Sequence, residues 1–152
     1  MSDNVYLGNP NLKRANTQIQ FTEEQVVEFL KCKDDPVYFA LNYIKIVSLD
    51  EGEVPFKMYA FQEKLVRRFH ENRFNICKMP RQTGKSTTCV SYLLHYALFN
   101  ANVNIAILAN KASTARDLLN RLQFAYEKLP KWMQQGILVY NKGSMELENG
   151  SK

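Results

Sequence analysis

Cysteine is scarce and unpaired in this chain. Cys32, Cys77 and Cys89 are the only three, with no Cys-x-x-Cys pair and no histidine cluster near them, so the spacings of a disulfide framework and of a zinc site are both missing. They read as reduced core thiols. Histidine occurs twice, at His70 and His95, and each stands alone, which suits a structural or surface group better than a metal ligand. No stretch approaches the ~20 uninterrupted apolar residues that a membrane span requires. Residues 1–10 are polar, with no apolar core ahead of a cleavage site, so neither membrane insertion nor export by a signal peptide is expected and the chain reads as intracellular and soluble. It also lacks internal repeats and low-complexity tracts.

What is there is ordinary globular material. The chain has 152 residues, 45% hydrophobic and 23% charged, enough for a real core and consistent with one compact unit or a piece of a larger one. The net charge of +5 is unevenly laid out: residues 1–60 hold six Lys/Arg and nine Asp/Glu, while residues 61–152 hold fourteen and six. The basic later part suits a polyanion, nucleotide or nucleic acid, although such a balance also occurs in proteins that bind neither.

Along the chain, residues 1–20 show little periodicity and read as an extended arm or linker. Thr22 and Gln25 form a capping-box pair, with Phe21 placed to staple against Val26, and predict a helix over residues 23–33. Asp35 before Pro36 predicts a second helix start, burying Phe39, Ala40, Tyr43 and Ile44. Residues 46–58 predict two short strands around Asp50-Glu51-Gly52-Glu53, with Pro55 confining the second to an edge. From Ala60, helical spacing returns with Phe61, Leu65 and Phe69 as the apolar stripe. Residues 21–58 thus read as a helical pair and hairpin ahead of the main domain, 59–152.

That domain alternates. A strand is expected over 74–79 and a helix over 85–99, burying Val90, Leu94, Ala97 and Leu98. A buried strand over 103–109 follows, then a helix capped by Ser113 whose Leu118, Leu119, Leu122, Ala125 and Leu129 share a face until Pro130. This order predicts an α/β fold, a parallel sheet with helices on both sides. Trp132 is expected to pack a short turn against the last helix. Residues 137–140 and 145–148 predict further strands, and Asn149-Gly150 signals a hairpin whose return strand is not in the sequence. On this reading the chain is a fragment.

The chemistry is carried by Met79-Pro80-Arg81-Gln82-Thr83-Gly84-Lys85-Ser86-Thr87, set between a strand and an amphipathic helix. A phosphate-binding loop needs backbone N–H groups aimed inward at a helix N-terminus, a lysine for the β/γ phosphates and a hydroxyl for Mg2+. Gly84, Lys85 and Ser86 supply that half of the motif; Met79 stands where the first glycine of Gly-x-x-x-x-Gly-Lys-Ser/Thr belongs. Gln62 lies 23 residues before Lys85 and beside Phe61. An amide can pair with an adenine edge while an aromatic ring stacks on its face; the same residue also suits a solvated helix surface.

Phe61-Gln62, the arginine-bearing loop 80–86 and Ile107-Leu108-Ala109-Asn110-Lys111 with Ser113 resemble the ATPase domain of tailed-bacteriophage terminase large subunits, in which the glycine-rich start of the loop is replaced by one carrying arginine. The resemblance is strongest to the T-even-like phages, through residues 8–16, 35–40 and 141–151, and runs over nearly the whole chain. It implies a P-loop ATPase fold, incomplete at its C-terminus, from a motor that couples ATP hydrolysis to translocation of double-stranded DNA into a procapsid. Carried over residue by residue, Arg81 and Lys85 would be catalytic, Arg81 acting at the γ-phosphate. Phe61, Gln62, Arg81, Gln82, Thr83, Gly84, Lys85, Ser86 and Thr87 would bind ATP, and Ser86 would hold Mg2+.

The resemblance further implies a portal protein and a small terminase subunit as partners, a ring oligomer, no membrane, and a place in the host cytoplasm docked transiently on the procapsid. The acidic Mg2+-binding strand, the catalytic glutamate and the nuclease domain of that family have no counterpart here, so this chain alone is expected to turn over ATP poorly. Glu146 and Glu148 read as a solvated strand edge, and Lys64, Arg67, Arg68 and Arg73 as a solvated or DNA-facing stripe. A fragment of a superfamily 2-type nucleic-acid helicase, or a non-catalytic nucleotide-binding or portal-docking fragment, are the alternative readings.

Overall fold

A computed structural model describes residues 4–48 and 50–152; residues 1–3 of the expected arm and Leu49 lie outside them. The chain begins with a two-stranded antiparallel ribbon, β1 (Val5–Tyr6) and β2 (Asn9–Lys13). The expected arm is thus partly structured, and the reason is long-range. Leu12 is buried in the core, the Lys13 N–H donates to Gln134 Oε1 at 3.1 Å, and Gln134 Nε2 donates back to the Asn11 carbonyl at 3.0 Å.

Two helices follow where local signals put them. In α1 (Glu23–Asp34), the Thr22 hydroxyl accepts from the Gln25 N–H and the Gln25 Oε1 accepts from the Thr22 N–H. Phe21 packs edge-to-face on Phe29, with ring centroids 6.3 Å apart, and Val26 is half exposed. In α2 (Pro36–Tyr43), one Asp35 oxygen accepts from the Val37 and Tyr38 N–H groups, satisfying two donors that a helix start leaves free. The hairpin of β3 (Lys45–Ser48) and β4 (Gly52–Pro55) is antiparallel, with Pro55 at its end.

The remaining elements are α3 (Ala60–Glu71), α4 (Lys85–Phe99), α5 (Ala112–Glu127), β5 (Ile137–Tyr140) and β6 (Met145–Leu147). Helix α4 is the centre, packing against α2, α3 and α5. Its Val90, Leu94, Ala97 and Leu98 meet Phe39, Ala40, Leu122, Ala125, Tyr126, Ile137 and Leu147 in one core. His95 lies inside it between Phe39 and Phe99, with Nε2 2.8 Å from the Cys32 carbonyl. Among the described residues no helix is long and apolar enough to cross a membrane.

The expected parallel sheet is not among the described residues, where all three sheets are antiparallel and two-stranded. Residues 74–79 and 103–109 make no ladder with each other. Both border one open groove of about 680 Å3 over α4, through Asn75, Asn104 and Ile105. Phe74, Ile76 and Leu108 are consequently exposed. The fold is mixed α and β.

Smaller corrections have equally local causes. Helix α5 starts at Ala112 with Lys111 as its cap residue, so Ser113 falls inside the first turn and is not the cap. Cys32 is buried, with burial pushing its thiol up to about 12, but Cys77 is exposed, its segment pairing with no strand among the described residues. Glu148 is no solvated edge: its oxygens accept from the Gly136 N–H at 2.7 Å and the Asn16 N–H at 2.9 Å, and Lys13 Nζ stands 3.4 Å away. Trp132 packs edge-on against Tyr43 of α2, with ring centroids 6.0 Å apart.

Candidate phosphate-binding loop

Helix α4 begins at Lys85 with Gly84 as its cap residue, and no side chain caps it. Gly84 is left-handed at φ 74°, a conformation that is cheap only without a Cβ. The first N–H groups of the helix therefore point out of an uncapped positive end. Thr88, one turn in, is buried and its hydroxyl donates to the Gly84 carbonyl at 3.0 Å, which fixes the loop onto the helix. On the other side, the Thr83 hydroxyl donates to the Pro80 carbonyl at 3.0 Å.

The Lys85 ammonium is folded inward. Nζ donates to the Met79 carbonyl at 3.1 Å and the Pro80 carbonyl at 2.5 Å, so the loop's own oxygens hold the charge. Gln82, also left-handed at φ 62°, and Arg81 are exposed on the outer side of the loop, as is Ser86, while Thr83, Lys85 and Thr87 are half-buried. Arg81 makes no ion pair among the described residues.

Gln62 is where sequence reasoning and structure part most clearly. It is only 3% exposed, so the solvated alternative is wrong, and Phe61, expected on the apolar stripe, is exposed instead. The buried face of α3 is Gln62 and Val66. The Gln62 Oε1 accepts from the Tyr59 N–H at 2.9 Å and its Nε2 donates to the Thr83 carbonyl at 3.1 Å. One amide thus caps the start of α3 and clamps the loop. The glutamine three residues after the helix's cap residue is the sequence signal for the first bond; the second spans 21 residues and has none. Beside it, the exposed rings of Tyr59 and Phe61 stack at 5.6 Å with 9° between their planes.

The basic side chains nearby are divided in their roles. Arg67 pairs with Asp35 at 3.7 Å and Arg73 lies over the Phe74 ring at 5.2 Å, whereas Lys64 and Arg68 are exposed. No cluster of three or more His, Cys, Asp or Glu suited to a metal exists among the described residues. Ser86 supplies one hydroxyl at the loop. That suits a Mg2+ ion taking its other oxygens from phosphates and water. Cys89, one turn beyond Lys85, has its thiol raised chiefly by burial, an effect Lys85 opposes, so it is a poor nucleophile. No family model matches the chain.

Proposed function

We propose that this chain is a nucleotide-binding part of a DNA-packaging ATPase of the terminase large-subunit kind, with a P-loop fold. The observation that carries the reading is the uncapped start of α4 behind a left-handed Gly84, with Lys85 folded into the loop. A triphosphate offers the Lys85 ammonium stronger acceptors than the Met79 and Pro80 carbonyls, and the N–H groups at the helix start face an anion with the dipole in their favour.

In this reading Lys85 leaves the loop carbonyls and neutralises the β/γ oxygens. Gln82, Thr83, Gly84 and Thr87 line the cradle through their backbone, and Ser86 would hold Mg2+, which when bound supplies charge neutralisation for phosphoryl transfer. Arg81, exposed and unpaired among the described residues, is free to swing to the γ-phosphate. The Tyr59–Phe61 stack is the platform for the base, and Gln62 reaches the adenine edge only by releasing Thr83, which ties base recognition to loop shape. Double-stranded DNA, a portal protein and a small subunit remain the partners proposed from the resemblance.

Lys85→Ala tests the assignment. It should weaken ATP binding by at least ~1.5 kcal/mol, about tenfold or more, since a charge-assisted bond is lost. Calorimetric titration reads this directly, and equal affinity for both proteins would sink the reading.

A further inference from the structure

Asn149-Gly150 is the one Asn-Gly pair in the chain, and the fold gives its amide a task beyond the turn. The Asn149 Nδ2 donates to the Ala97 carbonyl at 2.8 Å, the Asn100 carbonyl at 3.2 Å and the Leu98 carbonyl at 3.4 Å. These are acceptors that the end of α4 leaves without helical partners; Gln135 also donates to Leu98 and Ser151 to Asn100. On its other side, the Asn149 Oδ1 accepts from the Ser151 N–H at 3.0 Å and the Asn149 carbonyl from the Asn102 N–H at 3.0 Å. One residue thus ties the end of α4 to Asn102 and Ser151.

Asparagine is also a chemically labile side chain, and most so before glycine, where no side chain hinders ring closure. The Gly150 nitrogen attacks the Asn149 Cγ, a succinimide closes, and the side-chain nitrogen leaves as ammonia; one water then opens the ring to aspartate or isoaspartate. In the fold every atom of that step is held. The Gly150 N–H donates to the Leu147 carbonyl at 3.0 Å, and the leaving nitrogen is bound to the carbonyls at the end of α4. The product cannot take the place of the amide. A carboxylate has no N–H to give, it would face the same carbonyls at the negative end of the helix, and the last turn of α4 holds no basic residue to offset it. We propose that Asn149 is a deamidation site which the fold holds closed, and that its conversion to aspartate or isoaspartate frees residues 149–152 from the end of α4. Opening of this segment then becomes one-way, because the modified segment does not close again. This inference does not depend on the nucleotide reading.

The full chain is incubated at mildly alkaline pH, folded in buffer and unfolded in guanidinium chloride, while peptide mass spectrometry follows the change from amide to acid at residue 149. The folded chain should convert at least tenfold more slowly. In Asn149→Asp, hydrogen exchange at the Asn102 and Ser151 amides should speed at least tenfold while Leu94 stays protected; Asn149→Ala, which loses the donor without adding a charge, should speed them less. Should the aspartate variant fail to fold, the same readout applies to unchanged protein: after return from denaturant, the deamidated fraction should be the one that does not regain protection at Asn102. Equal rates of conversion in the folded and unfolded chain would overturn the proposal. Full protection of Asn102 and Ser151 in Asn149→Asp, or in the deamidated fraction, would overturn it as well.

Discussion

At the scale of single residues, Gln62 shows how one polar side chain links a helix start to a loop. Its oxygen and nitrogen are both engaged, so Gln62→Ala leaves the Tyr59 N–H and Thr83 carbonyl without those partners in a part-buried place. Such orphaned groups cost ~1–3 kcal/mol together with the lost bonds. Urea unfolding should show that loss, and competition binding should show reduced preference for ATP over GTP; a variant as stable as the parent would contradict the clamp. His95 makes a second case. Burial, the largest cause, lowers its pKa to about 4, against the opposing hydrogen bond to Cys32. The unfolded chain therefore binds a proton between about pH 6.5 and 4 that the fold refuses, and stability falls as pH falls through that window, by about 3 kcal/mol in full. Unfolding midpoints from pH 7 to 4.5 should drop for the parent and drop less for His95→Gln; parallel slopes would rule out His95 as the cause.

At the scale of elements, the helices are specified by short-range chemistry. Asp35 ends one helix and starts the next, and its carboxylate serves two N–H groups of α2. Asp35→Ala should cost about 1 kcal/mol, within the range for lost caps, and Asp35→Asn much less, because asparagine caps nearly as well. Thermal unfolding of the two variants separates the cap from the 3.7 Å pairing with Arg67, an exposed pair expected to contribute little. Equal losses would assign the effect to the charge. The strands behave differently. The hairpins formed by β3–β4 and β5–β6 need only a turn and close themselves, whereas residues 74–79 and 103–109 need neighbours distant in sequence.

At the scale of the whole molecule, the two ends of the chain meet. Glu148 accepts from Gly136, from Asn16 and from Lys13, and although burial works to raise its pKa these bonds hold the carboxyl below the usual range. Its contribution is present near neutral pH and lost as pH falls through that lowered value, the same direction as His95. Glu148→Ala should release the N-terminal ribbon, costing ~1–3 kcal/mol. Hydrogen exchange should speed at Asn16 and Gly136 while Leu94 in α4 stays protected; unchanged protection at Asn16 would show that Gln134 alone holds the arm.

Much of this was legible without coordinates. The capping box at Thr22, the Asp35-Pro36 start, the hairpin around Gly52, the helical stretch of 85–99 and the uncapped Gly84-Lys85-Ser86 loop all depend on residues within a few positions of one another, and nearby chemistry decides them. The Asn149-Gly150 signal also held as a turn: Gly150 is left-handed at φ 82° and the Leu147 N–H reaches the Ser151 carbonyl at 2.9 Å. Only the tertiary structure decided the rest. It rotated α3 so that Gln62 and not Phe61 faces inward, because the loop offered the amide a carbonyl partner. It set a half-buried Glu148 against Lys13 and Asn16, more than a hundred positions away, exposed Cys77, and left 74–79 and 103–109 without a shared ladder. Which face of an element is buried, and which strand lies beside which, are settled by partners far along the chain, and no local pattern carries that information.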